Sequence, residues 1–131
     1  MLYSKPVYGG TDHFVNKVLP QYGIKGIGFT STQSKEEILD LVKGQEAKVK
    51  MVYIETPANP TNALFDLQIC REVADQLSAD DKEVVVCVDN TYMGPLWQHP
   101  LKHGADLIVY SATKYIGGHS DLIAGAVLGK S

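Results

Sequence analysis

An almost uninterrupted apolar run at residues 84–88, Val-Val-Val-Cys-Val, restricts the fold of this chain more than any other segment. All of its residues except Cys87 are β-branched, and β-branched residues favour strands. A strand without a polar face has to be covered by other elements on both sides, as happens in parallel sheets. The run therefore predicts a central strand of a mostly parallel sheet.

Strand and helix patterns alternate along the rest of the chain. Short apolar or alternating runs predict strands, and apolar residues at helical spacing predict helices. The predicted strands are residues 24–30, 49–55, 84–88, 107–110 and 124–128. The predicted helices are residues 11–22, 34–43 and 66–77. This order predicts an α/β fold in which a mostly parallel sheet carries helices on both faces.

Polar residues mark where the predicted helices begin. Thr11 and Asp66 are expected as N-caps, and Ser34 forms a capping box with Glu37. The second helix is expected to turn four apolar side chains inward: Ile38, Leu39, Leu41 and Val42. Three segments are expected to be loop or irregular, the middle one as a surface insertion without chemistry: residues 1–10, 78–83 and 92–102.

The composition is that of a soluble globular domain. The chain has 131 residues, of which 44% are hydrophobic and 21% charged, so it forms one domain or part of one. A net charge of -3 without a basic cluster argues against a nucleic-acid partner. No apolar run reaches membrane-spanning length and no signal peptide opens the chain, so no membrane partner is expected.

Cysteine and histidine residues do not form a metal-binding pattern. Cys70 lies in a helical pattern and Cys87 in a strand, and their spacing is not that of a metal site. His99, His103 and His119 are not spaced as metal ligands either, and we expect them in loops. Buried free thiols suit a reducing compartment, so the cytoplasm is the expected location.

Reactive side chains follow the strand predicted at residues 107–110. That strand runs into Ser111, Thr113 and Lys114, and a pair of glycines comes shortly after. In parallel sheets, ligands bind at the carboxyl ends of strands. A lysine amine at such a place can form an imine with a carbonyl compound. Most segments of this composition are solvated loops, so the segment alone leaves both interpretations open.

Two other residues also have a structural and a functional interpretation, and a third is an aromatic residue in a turn. Asp89 follows the buried strand, where a carboxylate either caps the next turn or needs a charged partner, because unpaired burial is costly. Asn59 lies between two prolines that fix a rigid turn, and it is also expected at a strand end facing the same crevice as Lys114. Tyr8 precedes a glycine pair and, on the residues alone, is a plain aromatic residue in a turn.

Four short segments carry these residues. The longest is Ser-Ala-Thr-Lys-Tyr-Ile-Gly-Gly-His-Ser-Asp at residues 111–121. The others are Tyr-Gly-Gly-Thr at 8–11, Glu-Thr-Pro-Ala-Asn-Pro at 55–60 and Val-Asp-Asn-Thr at 88–91. Together they resemble the pyridoxal-phosphate enzymes of cysteine and methionine metabolism, the family of cystathionine gamma-synthase, cystathionine gamma-lyase and methionine gamma-lyase.

The resemblance implies a catalytic pair and a partner for the cofactor ring. Lys114 would bind the aldehyde of pyridoxal 5'-phosphate as a Schiff base and would later move protons. Tyr8 would stack on the ring and help to protonate the leaving group. Asp89 would face the ring nitrogen, and Thr91 would support its carboxylate.

The resemblance also implies how the rest of the cofactor is held. The hydroxyl groups of Ser111 and Thr113 would bind the phosphate. Asn59 would lie beside the ring and its 3-hydroxyl oxygen. The fold would be the large domain of the aspartate-aminotransferase-like fold (fold type I), with residues 124–128 as its one antiparallel strand.

An activity and an assembly follow from the same resemblance. The reaction would be elimination or replacement at Cγ or Cβ of a sulfur amino acid, in a homotetramer built from dimers. Residues 1–131 would be part of the pyridoxal-phosphate-binding domain, without the family's N-terminal segment and C-terminal domain. We therefore expect the isolated chain to be inactive or nearly so.

Two other functions compete with this one. A non-catalytic module that binds pyridoxal phosphate or assists assembly would keep Lys114 and Asp89 without turnover. An unrelated doubly wound nucleotide-binding domain is disfavoured, because no G-x-G-x-x-G follows the first strand. Within the family, Gly10 stands where many methionine gamma-lyases have cysteine, which favours the cystathionine enzymes or homoserine sulfhydrylases without deciding the substrate.

Overall fold

A computed structural model of the chain describes residues 1–79 and 81–130. Within them, one sheet contains the strands β1 Leu2–Ser4, β2 Ile27–Phe29, β3 Met51–Glu55, β4 Val85–Asp89, β5 Leu107–Ser111 and β6 Gly125–Gly129. The order across the sheet is β2-β1-β3-β4-β5-β6. All neighbouring pairs are parallel except β5 and β6, which are antiparallel. The predicted fold class and the predicted antiparallel strand are confirmed.

The helices of the described residues cover both faces of this sheet. They are α1 Gly9–His13, α2 Lys35–Asp40, α3 Leu67–Leu77 and α4 Gly94–Trp97. The first continues as a π-helical stretch at Phe14–Val18 and a 3-10 turn at Leu19–Tyr22, and separate 3-10 turns lie at Glu46–Lys48 and Pro100–His103. The α2 and α3 helices pack on the larger core, whereas the α1 segment packs on the opposite face against Tyr3.

Alternation along the central strands decides which side chains reach each face. Val52, Ile54, Val86 and Val88 lie in the larger core with α2 and α3. Since successive strand residues point to opposite faces, the odd-numbered residues of β3 and β4 point toward the α1 side. The pairs Tyr53–Cys87 and Glu55–Asp89, which are opposite each other in the register, therefore share that face.

The first strand corrects the expectation that residues 1–10 are loop. Leu2–Ser4 are fully or almost fully buried and lie between β2 and β3. The prediction was wrong because three residues are too few to show a strand pattern. The burial of this strand comes from two partners that lie much later in the chain, which no local pattern reports.

The first helix also begins earlier than predicted. Tyr8 occupies the N-cap position, and the Asp12 N–H donates to the Tyr8 carbonyl oxygen at 2.9 Å, so the expected N-cap Thr11 is wrong. Pro20 has no amide hydrogen to donate, and the last turn tightens from α-helical to 3-10 geometry around it. Gly23, at φ 74°, ends the segment, because that backbone conformation suits glycine.

The other two predicted caps are confirmed. Ser34 and Glu37 form the full capping box, with the Glu37 N–H donating to Ser34 Oγ at 3.2 Å and the Ser34 N–H donating to Glu37 Oε2 at 2.7 Å. Asp66 Oδ1 accepts the N–H group of Gln68 at 2.8 Å. Leu41, expected to point inward, is 36% exposed, since α2 ends at residue 40 and the following turn rotates this side chain outward.

Two segments expected to lack regular structure contain some. Residues 92–102 include α4 and most of the 3-10 turn at Pro100–His103, which short, proline-containing helices do not reveal by periodicity. In the 78–83 segment, Ala79 and Lys82 form an isolated antiparallel bridge, and Asp80 lies outside the described residues. In the parts of the chain that the structure describes, no helix has both the length and the apolar character needed to cross a membrane.

Candidate active site

The predicted site residues lie at one edge of the sheet. Tyr8 follows β1, Asn59 follows β3, Thr91 follows β4 and Lys114 follows β5. These four strands are mutually parallel through their neighbours, so their carboxyl ends meet at the same edge. Ligands bind at that edge in open α/β sheets.

Asp89 is held in place by its own loop and by the neighbouring strand. Its Oδ1 accepts the Thr91 N–H at 3.0 Å and the Thr91 hydroxyl at 2.6 Å. Its Oδ2 accepts the phenol hydroxyl of Tyr53 at 3.1 Å. The carboxylate is half-buried at the end of β4, and these three donors offset part of the cost of burying its charge.

Thr91 connects the aspartate to the lysine segment. The Ser111 N–H donates to Thr91 Oγ1 at 2.8 Å, so the same hydroxyl that donates to Asp89 accepts a bond from the end of β5. The hydrogen bonds thus run from Asp89 through Thr91 to Ser111. The structure brings these three predicted residues together.

Lys114 lies in a compact turn directly after β5. Its N–H donates to the Ser111 carbonyl at 3.1 Å, and the Gly118 N–H donates to the Lys114 carbonyl at 2.8 Å. A β-carbon at Gly117 would come within 2.9 Å of the Ala112 carbonyl oxygen, so this turn requires glycine there. Among the residues that the structure describes, the Lys114 amine is exposed and has no hydrogen-bond or ion-pair partner.

Thr113 is engaged elsewhere. Its hydroxyl donates to the Ala124 carbonyl at 3.1 Å and accepts the Ala124 N–H at 2.9 Å. These bonds close the loop between β5 and β6. Binding a phosphate through Thr113 would require its only hydroxyl hydrogen to leave Ala124, whereas the Ser111 hydroxyl has no such bond within the described residues.

Tyr8 and Asn59 are joined through Glu55, which the sequence patterns did not indicate as a site residue. Glu55, 6% exposed, accepts the Tyr8 N–H on Oε2 at 2.8 Å and the Asn59 N–H on Oε1 at 2.7 Å. The Glu55 N–H in turn donates to Ser4 Oγ at 2.9 Å. The ring of Tyr8 is 53% exposed and lies close over Gly10, where a β-carbon would approach Cε1 to 2.9 Å.

Burial and mutual repulsion set the protonation of the acidic groups on this face. Burial raises the pKa of Glu55, two N–H donors oppose the rise, and the charge of Asp89 adds to it. Burial likewise raises the pKa of the Tyr53 phenol well above its usual value, and Asp89 reinforces the effect by its charge and its hydrogen bond. Burial and the Asp89 charge raise the pKa of Cys87 to about 11.

An open apolar cavity of about 1040 Å³ adjoins the site without containing it. It lies on the α1 face and is bordered by Tyr8, Tyr53 and Cys87, but Asp89 and Lys114 do not line it. The polar groups that bear on chemistry are therefore at the sheet edge beside this cavity.

Tyr53 and Glu55 are site residues that the sequence patterns did not indicate. Glu55 could have been identified from the sequence. A charged residue at the end of an apolar strand is costly to bury unless it is paired, and the same reason indicated Asp89. Tyr53 gave no such signal, because a tyrosine within a strand is ordinary. Its contact with Asp89 depends on the register between β3 and β4.

The groups present suit pyridoxal phosphate. A carboxylate oxygen has about two acceptor sites, so Oδ1 of Asp89 is filled by its two donors and Oδ2 has room for one more, as a protonated ring nitrogen would provide. The Lys114 amine and the Ser111 hydroxyl are free within the described residues to meet an aldehyde and a phosphate. Among the described residues at this edge, only the engaged hydroxyl of Thr113 conflicts with the cofactor.

Comparison with known proteins decides the family. The model of the Cys/Met metabolism PLP-dependent enzymes matches residues 1–131. This chain belongs to that family. L-methionine gamma-lyase of Treponema denticola is 43% identical over 97% of the chain, and cystathionine gamma-lyase of Bacillus subtilis is 41% identical over 98%.

The fold of the family agrees as well. The crystal structure of cystathionine gamma-lyase from Lactobacillus plantarum in complex with L-serine matches 99% of the chain with a TM-score of 0.86 and 29% sequence identity. The chain spans 30% and 31% of the lengths of the Treponema and Bacillus relatives, and 32% of the Lactobacillus chain. The predicted cofactor is confirmed at the level of the family, whose members depend on pyridoxal phosphate.

Proposed function

We propose that these residues form part of the cofactor-binding domain of a larger enzyme that uses pyridoxal phosphate to eliminate or replace a group at Cγ or Cβ of a sulfur amino acid. The observation that carries the proposal is the hydrogen-bonded series Asp89–Thr91–Ser111, which ends beside the Lys114 turn. It joins a carboxylate suited to the ring nitrogen to the lysine segment.

Each site residue then has a physical task. Pyridoxal phosphate, when bound, supplies the electron sink for a carbanion at Cα. Asp89 would accept a hydrogen bond from the protonated ring nitrogen, Thr91 would orient its carboxylate, and the Lys114 amine would hold the aldehyde end of the cofactor and serve as the base that takes up and returns protons. Tyr8 covers one face of the ring and excludes water from it.

The remaining predicted contacts concern orientation. Ser111 donates to the phosphate, and Thr113 joins it once its hydroxyl turns away from Ala124. Asn59, fixed by its N–H bond to Glu55, would lie beside the ring and its 3-hydroxyl oxygen. These roles rest on the family's motif and on the placement of the residues at one edge of the sheet.

The proposal also covers the substrate class, the oligomeric assembly and the cellular location. Relatives named for methionine and for cystathionine are 43% and 41% identical, so identity does not separate these substrates. Gly10 favours a cystathionine-type or homoserine-type substrate. For the complete protein we propose a homotetramer, as in the resembled family, and a cytoplasmic location, which is consistent with two free, buried cysteines.

Reductive trapping tests the role of Lys114. The complete protein that carries these residues is loaded with pyridoxal phosphate, treated with borohydride and digested for mass spectrometry. We expect a stable cofactor label on Lys114, no label there after Lys114→Ala, and an unchanged label after Lys43→Ala, which removes an exposed lysine elsewhere. A label confined to other lysines in the native protein would contradict the proposal.

Turnover separates the enzyme from a non-catalytic module. Release of 2-oxo acid or thiol is measured with methionine, cystathionine and O-acetylhomoserine. We expect turnover of at least one of them and its loss in Lys114→Ala. A labelled lysine without turnover of any sulfur amino acid would favour the module that only binds the cofactor or assists assembly.

A further inference from the structure

The phenol of Tyr53 makes a contact that the proposed function leaves unexplained. Its hydroxyl donates to Asp89 Oδ2 at 3.1 Å, from a neighbouring strand and not from the loop that carries the aspartate. Within the described residues it is the one protein donor to that oxygen. Thr91 serves the other oxygen with both of its donors.

Acceptor sites on the carboxylate show what this contact does. Each carboxylate oxygen accepts about two hydrogen bonds, so Oδ1 is complete and Oδ2 has one site left beside Tyr53. A donor from a ligand therefore has to reach Oδ2. The direction in which that last site points depends on how the carboxylate is rotated, and Tyr53 fixes the rotation on that side.

We propose that Tyr53 is a positioning residue that holds Asp89 Oδ2 toward the ring nitrogen of the cofactor and so helps to keep that nitrogen protonated. The inference rests on the proposed function of Asp89 and adds a residue that the family motifs in this sequence do not include. Tyr53 would act through Asp89 and not on the reacting atoms.

The surroundings of Tyr53 favour this role. Burial and the charge of Asp89 raise its pKa, so the phenol remains a donor throughout the working pH range. Within the described residues, the other titratable groups whose charges bear on Asp89 or Tyr53 are Glu55 from β3 and Cys87 from β4. Neither group makes a hydrogen bond to Asp89 within the described residues. Both Glu55 oxygens accept N–H groups from other segments, and the Cys87 thiol, which stays protonated because its pKa is raised, is only a weak donor.

A matched pair of variants isolates the hydroxyl. Tyr53→Phe keeps the ring and removes only the contact with Asp89. Tyr3→Phe is the control, because Tyr3 lies opposite Tyr53 in the register, is 2% exposed on the same face, and pairs its hydroxyl with Asn16 instead. Circular dichroism and thermal unfolding of both variants monitor the fold.

The measurement is the nitrogen-15 chemical shift of ring-labelled pyridoxal phosphate bound to the complete protein, with the affinity for the cofactor as a second readout. We expect a protonated ring nitrogen in the native protein and in Tyr3→Phe. In Tyr53→Phe we expect a shift toward the unprotonated value and about tenfold weaker binding, because a hydrogen bond to a charged group is lost. A purely structural role would change the affinity without changing the protonation.

The outcomes distinguish this inference from the proposed function. If the native nitrogen is protonated and Tyr53→Phe leaves its shift unchanged, the role of Tyr53 is overturned while that of Asp89 stands. If the native protein binds the cofactor with an unprotonated nitrogen, or does not bind it, the proposed role of Asp89 fails and the inference fails with it.

Discussion

Glu55 shows how one buried side chain can hold two parts of a site. Its two oxygens accept N–H groups from Tyr8 and Asn59, which lie 47 and 4 positions away in the sequence. These residues are proposed to contact the cofactor ring from different segments. The carboxylate thereby fixes the spacing between the tyrosine turn and the asparagine loop.

Glu55→Gln should weaken this link measurably. A carboxamide has one oxygen, so either the Tyr8 or the Asn59 N–H is left facing an NH₂ group. We expect a loss of about 1–3 kcal/mol in the free energy of unfolding at mildly acidic pH, the usual cost of an unsatisfied buried donor. Urea denaturation measures it, with the exposed Glu83→Gln as the control, expected to change stability by less than about 0.5 kcal/mol.

The pH dependence of stability in the native protein and in Glu55→Gln tests the direction of the Glu55 pKa shift. Burial raises the pKa of Glu55 above its ordinary value of 4.5, so the folded chain binds this proton more tightly than the unfolded chain. The contribution of Glu55 to the free energy of unfolding must therefore fall as pH rises from 4.5 through the folded pKa. The advantage of the native protein over Glu55→Gln should shrink across that window, and an advantage that grew with pH would contradict the assignment.

At the edge of the sheet opposite the site, α3 holds the starts of β4 and β5 in place. Arg71 of this helix pairs with Asp106 at 2.9 Å, and Asp106 Oδ2 also accepts the Val86 N–H at 2.8 Å. The link joins α3, β4 and the start of β5. Two of the strands that carry the site, β4 and β5, are thus held at their other ends by hydrogen bonds to a charged side chain.

Asp106→Asn should loosen that attachment. Burial alone would raise the pKa of Asp106, but the Val86 N–H and the Arg71 guanidinium outweigh it and hold the pKa below its usual value of 3.8. We expect the variant to lose about 2 kcal/mol of unfolding free energy at neutral pH, as for hydrogen bonds to charged groups. Thermal or urea unfolding across pH measures the loss.

Low pH should remove the difference in stability between the native protein and Asp106→Asn. A carboxylate with a lowered folded pKa contributes stability above its unfolded pKa and loses that contribution as pH falls through the folded value. The native protein and Asp106→Asn should therefore converge below 3.8. Asp81→Asn, at an exposed position, should match the native protein throughout, and a difference that persists in acid would show that the carboxylate charge is not responsible.

The elements predicted correctly are those whose pattern lies within a few consecutive residues. The run at 84–88 is apolar enough to identify β4, and Asp66 followed by a helical stripe identifies α3. β1 escaped prediction because its partners are distant in sequence. Asp89 and Lys114 lie in short motifs that can be identified locally. The contact of Tyr53 with Asp89 depends on the register between β3 and β4, which the sequence does not show.

For the whole molecule, the exposed surface indicates how far these residues can act alone. Several large apolar side chains are open to solvent: Leu96 at 79%, Trp97 at 77%, Ile123 at 97% and Val127 at 67%. Leu96 and Trp97 are adjacent in the chain, and large apolar surfaces of a folded domain often meet other protein. The chain also spans only 30% of the length of its Treponema relative, so further contacts to the cofactor can come from the remaining parts of such an enzyme.

The isolated 131-residue chain should therefore bind pyridoxal phosphate weakly and sustain no turnover. Tyr8 is half exposed and Lys114 lies at the surface, so bulk water would compete for the contacts that hold the cofactor. We expect its dissociation constant to be at least about tenfold higher than that of the complete protein, which is about 1.4 kcal/mol of lost contact energy. Absorbance titration measures the affinity, with Lys114→Ala as the blank for covalent attachment. Equal affinity, or steady release of 2-oxo acid by the isolated chain that Lys114→Ala abolishes, would show that the site is complete within these residues.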